Sequence, residues 1–336
     1  MTVVGPFGLS VRDQALEADV QVGLAAVEEG LLEATKSEVP FITEAAQHLV
    51  RAGGKRFRPL LVMLAAQFGD PYAPRVVPSA VVVELTHLAT LYHDDVMDEA
   101  DVRRGVASAN QRWGNSVAVL TGDFLFARAS YILADLGPEA VRIQAEAFER
   151  LVTGQILETA GPAEGRDPVD HYLDVLRGKT GSLVAVACRF GAMMSGADET
   201  VVDVLTQYGE RLGVAFQLAD DVLDIASDSH ESGKTPGTDL REGIPTLPVL
   251  RLRERAARLG LAEDLALCEL LDSDLTDDAR HAEALHRLRA HPALEDARRD
   301  TVCYAEGARA ALGPLPEGDA KASLLELCDL VVHRAG

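Results

Sequence analysis

Basic residues are scarce in this chain: 32 lysines and arginines stand against 53 aspartates and glutamates, for a net charge of −21. A surface that acidic repels nucleic acid, so no nucleic-acid partner is expected, and it suits a soluble protein expected in the cytoplasm. Closely spaced cysteines are lacking too. Cys188, Cys268, Cys303 and Cys328 lie far apart with no C-x-x-C spacing, which reads as reduced thiols rather than a zinc site or a disulfide framework. The opening residues MTVVGPFGLSVRDQ have neither a basic lead nor a sustained apolar core, so no signal peptide is evident. No uninterrupted apolar run approaches the length of a membrane span, so no integral membrane segment is expected. Convincing strand alternation, solenoid-period repeats and flexible linkers are missing as well.

What the chain has is helical period. Its 336 residues, 47% of them apolar, suffice for a large core. Apolar positions recur every three or four residues through Val81 to Glu99, Val117 to Leu136, Glu139 to Ala160, Val169 to Met194, Glu199 to Ser227 and from Leu247 onward. The breaks FGDPYAPRVVP, LGPE, AGPAEGRDPVD and SDSHESGKTPGTDLREGIPTLP are turn-rich. The architecture expected is all-α, a large helical bundle forming one domain over residues 1–336.

Two aspartate clusters share one grammar: LYHDDVMD, with Asp94, Asp95 and Asp98, and FQLADDVLD, with Asp220, Asp221 and Asp224. Spacing of i, i+1 and i+4 crowds each set onto one side of a helical turn. Carboxylates that close repel, the more so between apolar flanks, and a cation relieves the repulsion. Oxygen-only donors favour a hard ion such as Mg²⁺, which keeps waters and takes one or two carboxylates plus substrate phosphates. A single cluster would equally suit a solvated acidic face. Repetition inside apolar stretches favours a diphosphate clamp.

Against the acidic average stands RAGGKRFRP, which concentrates Lys55, Arg56 and Arg58 after two glycines, and a second basic patch, Arg103 and Arg104, follows the first aspartate cluster. Arginine offers a planar fork for phosphate oxygens, lysine a compact charge. Alone, each patch is an ordinary solvated surface. Lys179 and Thr180 after Gly178, Gln217 one turn before Asp220, and Lys234 in the glycine-rich loop become candidates through these neighbours.

Taken in order, GGKRFRP, DDVMDEADVRRG, GKT, FQLADDVLD and GKTPGTDLREG resemble the trans-type isoprenyl diphosphate synthase family, long-chain polyprenyl synthases in particular, over roughly residues 40 to 250. The resemblance implies the isoprenoid synthase fold, helices around a central apolar cavity, usually as a homodimer. It implies that Asp94, Asp95, Asp98, Asp220, Asp221 and Asp224 hold Mg²⁺, three ions with the allylic diphosphate bound. Arg103, Lys179 and Lys234 would contact that diphosphate, while Lys55, Arg58, His87 and Arg104 would hold isopentenyl diphosphate. Thr180 and Gln217 would lie against the allylic cation. The family often has a lysine after the GTDLREG segment; here Ile244 and Pro245 follow Gly243.

Ala89 and Thr90, small residues about one turn before Asp94, leave the tunnel open where short-chain members place bulky aromatics. A long-chain all-trans product is therefore expected, with Phe148 as one candidate for a deeper floor; geranylgeranyl or farnesyl diphosphate is the alternative. Glu84-x-x-His87 and Glu283-x-x-His286 also fit the spacing of a di-iron carboxylate bundle, but the second lies in strongly polar sequence.

Overall fold

The computed structural model describes residues 14–227 and 236–335, so Lys234 lies outside the described residues. The helices α1 (Gln14–Ala34), α2 (Pro40–Arg51), α3 (Phe57–Ala66) and α4 (Val76–Met97) come first. A small hairpin follows, β1 (Val102–Arg103) and β2 (Val106–Ala107), then α5 (Ala109–Trp113), α6 (Asn115–Leu136) and α7 (Pro138–Ala160). α8 (Pro168–Leu176) passes through one π-helical turn, Arg177–Gly181, into α9 (Ser182–Met194), and α10 (Glu199–Ala226) carries the second aspartate cluster. Beyond it are α11 (Thr238–Arg241), α12 (Leu247–Leu259), α13 (Ala262–Leu271), α14 (Asp278–Arg289), α15 (Pro292–Ala311) and α16 (Asp319–Ala335). The fold is all-α as expected, and the expected segments match these helices within a few residues at most ends.

The chain contains a short hairpin besides its helices. Val102 pairs with Ala107 and Arg103 with Val106, antiparallel, closed by Arg104 and Gly105 at φ 53° and 79°. Two successive positive φ values make the tight hairpin turn whose twist suits its strands, which usually calls for Asn-Gly or Asp-Gly. An arginine in that turn is unusual, and two-residue strands are too short to show alternation.

The chain forms two compact units. The first comprises the residues up to Glu149 with Leu183–Gly209 and Ala311–Glu326; the second comprises Arg150–Ser182, Glu210–Ala310 and Leu327 onward.

In the first unit, α4 is buried on nearly every side, with Val82, Val83, Leu85, Leu88 and Ala89 fully covered. Its β-branched run is a poor helix former, so packing against α1, α3 and α6 supplies the stability that propensity does not. Its polar groups are tied down: Tyr92 donates to the Ala45 carbonyl at 2.5 Å and Thr86 accepts from Gln144 at 2.9 Å. Gly122 on α6 lets the helices close, since a Cβ there would stand 3.1 Å from the Ala89 carbonyl and 2.3 Å from His93 Nε2.

α6 bears on the membrane expectation. It is a 22-residue helix, apolar enough by length and composition to cross a membrane, with 33% of its most apolar window buried. Asp123, Arg128 and Asp135 interrupt its sequence, so no uninterrupted run announced it. Leu120 and Tyr131 stand 65% and 71% exposed on its outer face.

In the second unit, Asp167 caps α8 by accepting from the Val169 and Asp170 amides at 2.9 Å, with Pro168 at the first helical position. Glycines bring α7 against the π turn: a Cβ on Gly154 would fall 2.7 Å from the Lys179 amide, and one on Gly178 2.7 Å from the Arg150 carbonyl. That approach fixes where Lys179 and Thr180 project. α12 packs on α8, and α13 on α12 and α14.

Candidate active site

The first aspartate cluster ends α4. Asp94 is half-buried and Asp98 exposed just past the last helical residue, whereas Asp95 is wholly buried. Arg103 on β1 donates from Nε to Asp95 Oδ1 at 2.6 Å, and Asp95 Oδ2 is buried with no hydrogen-bond partner. An acceptor held dry and unpaired is costly unless a ligand completes it. The hairpin places Arg103 on the aspartate and turns Arg104 the other way, toward α2. Arg104 Nη1 donates to the Leu49 carbonyl at 3.0 Å and to the Gly53 carbonyl, and its Nη2 lies 3.7 Å from Glu84.

Glu84, 2% exposed on α4, is the hub of the basic pocket. Arg56, buried and in the left-handed region at φ 48°, donates from Nη1 to Glu84 at 2.9 Å. It also donates from Nε and Nη2 to the two oxygens of Glu28, the second at 3.1 Å, and from Nη2 to the Val50 carbonyl at 3.0 Å. Arg58 is drawn to the same carboxylate; burial pushes its guanidinium down to about 10, Glu84 opposes that and Arg104 adds to it. Its Nε is buried without a partner. Burial, then the charges of Arg58, Arg104, Arg103 and Arg56, hold His87 well below its ordinary pKa, so it is neutral near pH 7. Lys55 is exposed. The structure thus brings the charges of Arg58, Arg103 and Arg104 to bear on His87, with Arg103 also on Asp95 of the first aspartate cluster, all within one unit.

The second cluster is built differently. Tyr172 on α8 donates to Asp221 Oδ2, and Gln217 donates to Asp221 Oδ1 at 3.0 Å. Burial raises Asp221 to about 6, with Asp220 and Asp224 adding repulsion and the two donors opposing it. Burial, then the adjacent Asp221 charge, raises the Tyr172 phenol well above its ordinary value, so it stays a donor. Thr180 donates to Gln217 at 3.4 Å, so the π turn and the aspartate helix share one hydrogen-bonded chain. Lys179 pairs with Glu158 at 2.6 Å. Asp224 accepts from the Thr238 and Asp239 amides at 3.3 and 3.2 Å, which anchors the GTD segment. Asp220 pairs with Arg334 at 2.6 Å.

Several of these residues were not singled out from the sequence. In the sequence Arg56 is one member of a charged patch and Glu84 stands out by its spacing to His87; burial, which sequence spacing does not report, makes them a pair. Tyr172 and Arg334 carried no signal beyond their residue types. The di-iron alternative loses its second half, since Glu283 and His286 are exposed on α14.

Among the described residues no three His, Cys, Asp or Glu side chains converge as a ready-made metal cage. The donors nonetheless fit a hard divalent ion. They are all carboxylate oxygens, one of them orphaned and buried at Asp95, and such an ion needs few protein ligands when a diphosphate supplies the rest.

A family model described as polyprenyl synthetase matches residues 39–287. The nonaprenyl diphosphate synthase of Mycobacterium tuberculosis is 47% identical over 331 residues, 98% of this chain and 97% of that one. The geranylgeranyl pyrophosphate synthase of Corynebacterium glutamicum, solved with calcium and isoprenyl diphosphate, superposes at a TM-score of 0.87 with 43% identity, covering 97% of this chain and 99% of that one. A decaprenyl diphosphate synthase from Rhodobacter capsulatus gives 0.85 and 36%, covering 96% and 99%. Motifs, helical fold and relatives along nearly the whole length agree, and the chain belongs to the polyprenyl synthetase family.

Proposed function

We propose that this protein is a Mg²⁺-dependent prenyltransferase that condenses isopentenyl diphosphate with an allylic diphosphate to give a long-chain all-trans polyprenyl diphosphate. The observation that carries the reading is Asp95, which accepts from Arg103 at 2.6 Å while its Oδ2 is buried with no hydrogen-bond partner, beside the charges of Arg58 and Arg104 that act on His87. A cluster that rich in arginine, in a chain of net charge −21, calls for a polyanion.

Asp94, Asp95, Asp98, Asp220, Asp221 and Asp224 would hold the metal, three ions with the allylic diphosphate bound. When bound, magnesium supplies positive charge to the departing diphosphate as the allylic carbon–oxygen bond ionises. Arg103, Lys179 and Lys234 bind that diphosphate, and Lys55, Arg58, Arg104 and neutral His87 orient isopentenyl diphosphate. Thr180 and Gln217 would lie against the electron-poor allylic carbon. The isopentenyl double bond attacks that carbon, and the proton then lost goes to the diphosphate, since no side chain stands out as its acceptor. Exclusion of water by the helical walls protects the carbocation.

The whole chain acts as one domain on this reading, supported by a family match that includes residues of both units. It works in the cytoplasm as a homodimer, supported by the outward Leu120 and Tyr131 on α6, apolar area that a second copy would cover. The test of product is incubation with isopentenyl and farnesyl diphosphates and chromatography. Prenyl chains well beyond geranylgeranyl support the long-chain reading, and a product ending at geranylgeranyl or farnesyl diphosphate replaces it with a short-chain one.

A further inference from the structure

Arg334 lies in the last turn of α16, close to the end of the chain, and reaches the second aspartate cluster. Its Nη2 donates to Asp220 Oδ1 at 2.6 Å, and its guanidinium carbon stands 4.8 Å from the centroid of Phe216, one turn earlier on α10. Ring and carboxylate, spaced i and i+4, therefore hold the guanidinium on the aspartate face of α10 by stacking and by charge. An ordinary surface ion pair would end there. Here the other terminal nitrogen, Nη1, is buried with no hydrogen-bond partner. A guanidinium N–H kept dry and unpaired is a cost that the pair with Asp220 does not explain, and an anionic oxygen would remove it.

The local chemistry says which anion. Asp221 already accepts from Tyr172 and Gln217, and Asp224 from backbone amides. A cavity of about 720 Å³ lined by Ile244, Pro168, Val169, Val175 and Leu250 also includes Arg253, which is paired with Asp272 at 2.7 Å. We infer that Arg334 is a diphosphate-binding residue of the second aspartate cluster, its Nη2 steadying Asp220 while Nη1 donates to a phosphate oxygen of the allylic substrate. This inference rests on the prenyltransferase reading for the identity of the substrate.

The competing account is that Arg334 merely neutralises Asp220 and must leave when a metal arrives. Calorimetric titration of inorganic pyrophosphate in the presence of Mg²⁺, and of Mg²⁺ alone, separates the two for wild type, Arg334→Gln and Arg334→Lys. The expected result is a tenfold or greater loss of pyrophosphate affinity in Arg334→Gln and an intermediate loss in Arg334→Lys. In turnover, the KM for farnesyl diphosphate should rise in the same order while that for isopentenyl diphosphate stays within twofold. Wild-type pyrophosphate affinity in Arg334→Gln, with tighter binding of Mg²⁺ alone, would overturn the inference in favour of the counter-ion. If Arg334→Gln lowers the melting temperature sharply, Arg334→Lys decides: an intermediate loss supports the inference, and wild-type affinity overturns it. A wild type that binds magnesium pyrophosphate but joins no prenyl groups would refute the enzymatic reading and leave the binding role of Arg334 standing.

Discussion

Arg103 Nε donates to Asp95 Oδ1 across 2.6 Å, so a cation expected on the substrate and a carboxylate expected on the metal are partners of each other. Arg58, by contrast, is drawn to Glu84 and keeps an unpaired Nε. The two arginines should therefore fail differently. Arg103→Ala is expected to raise both the KM for the allylic diphosphate and the Mg²⁺ concentration for half-maximal rate. Arg58→Ala should raise the KM for isopentenyl diphosphate tenfold or more and leave the Mg²⁺ requirement within twofold. Identical kinetic signatures for the two variants would contradict the assignment.

Arg56 offers a stability prediction. Its removal would strand Glu84, 2% exposed, without its shortest ion pair. Breaking a buried pair from one side typically costs about 3–5 kcal/mol. Arg56→Ala should lose that much in urea denaturation, and Arg56→Lys less. Because Glu84 also attracts Arg58 and Arg104, a folded Arg56→Ala protein should bind isopentenyl diphosphate more weakly. An unchanged denaturation midpoint would mean that the pair contributes nothing.

Asp221 gives a pH signature. Burial raises its carboxyl to about 6. A proton held more tightly folded than unfolded stabilises the protein at low pH, and that contribution is lost as pH rises from about 4 through 6. In metal-free buffer Asp221→Asn should therefore gain on wild type as pH rises, by up to about 3 kcal/mol at pH 7, because each tenfold change in proton affinity is worth about 1.4 kcal/mol. Metal affinity should fall below about pH 6, since the proton competes for the same oxygens. Parallel melting profiles for the two proteins from pH 4 to 8 would show that Asp221 is not perturbed.

Chain length is tested at Ala89, which is fully buried and packs close to Gly122 of α6. If the growing prenyl chain passes this turn, Ala89→Phe should shorten the product without touching the diphosphate contacts. Overpacking costs about 1–3 kcal/mol, so the variant must first be shown to be folded. An unchanged product from a folded variant would route the chain elsewhere. Phe148, which packs on Phe126 with ring centroids 4.4 Å apart, is the next position to open, by Phe148→Ala.

The helices were legible because their apolar period is long and repeated, as in Val117 to Leu136 against the observed Asn115–Leu136. The aspartates were legible because repulsion between such groups needs a reason. The hairpin at Val102–Ala107 was not: its strands are too short to alternate, and its turn carries Arg104 where Asn or Asp is usual. The π turn holding Lys179 and Thr180 was hidden because no residue type marks where a helix takes in one extra residue. Glu84 and Arg56 show the commonest limit. A buried pair that joins residues 28 positions apart leaves no mark on local sequence.

Metal-dependent condensation at the aspartate clusters is the central claim, and incorporation of labelled isopentenyl diphosphate into an acid-labile prenyl product tests it most directly. The purified protein, stripped with EDTA and supplied with farnesyl diphosphate, should incorporate no label. Adding Mg²⁺ should restore incorporation in wild type, with a loss of about 100- to 1000-fold in Asp94→Ala and Asp220→Ala, as for removal of one strong electrostatic contact. Full incorporation in metal-free buffer, or undiminished rates in both aspartate variants, would contradict the account.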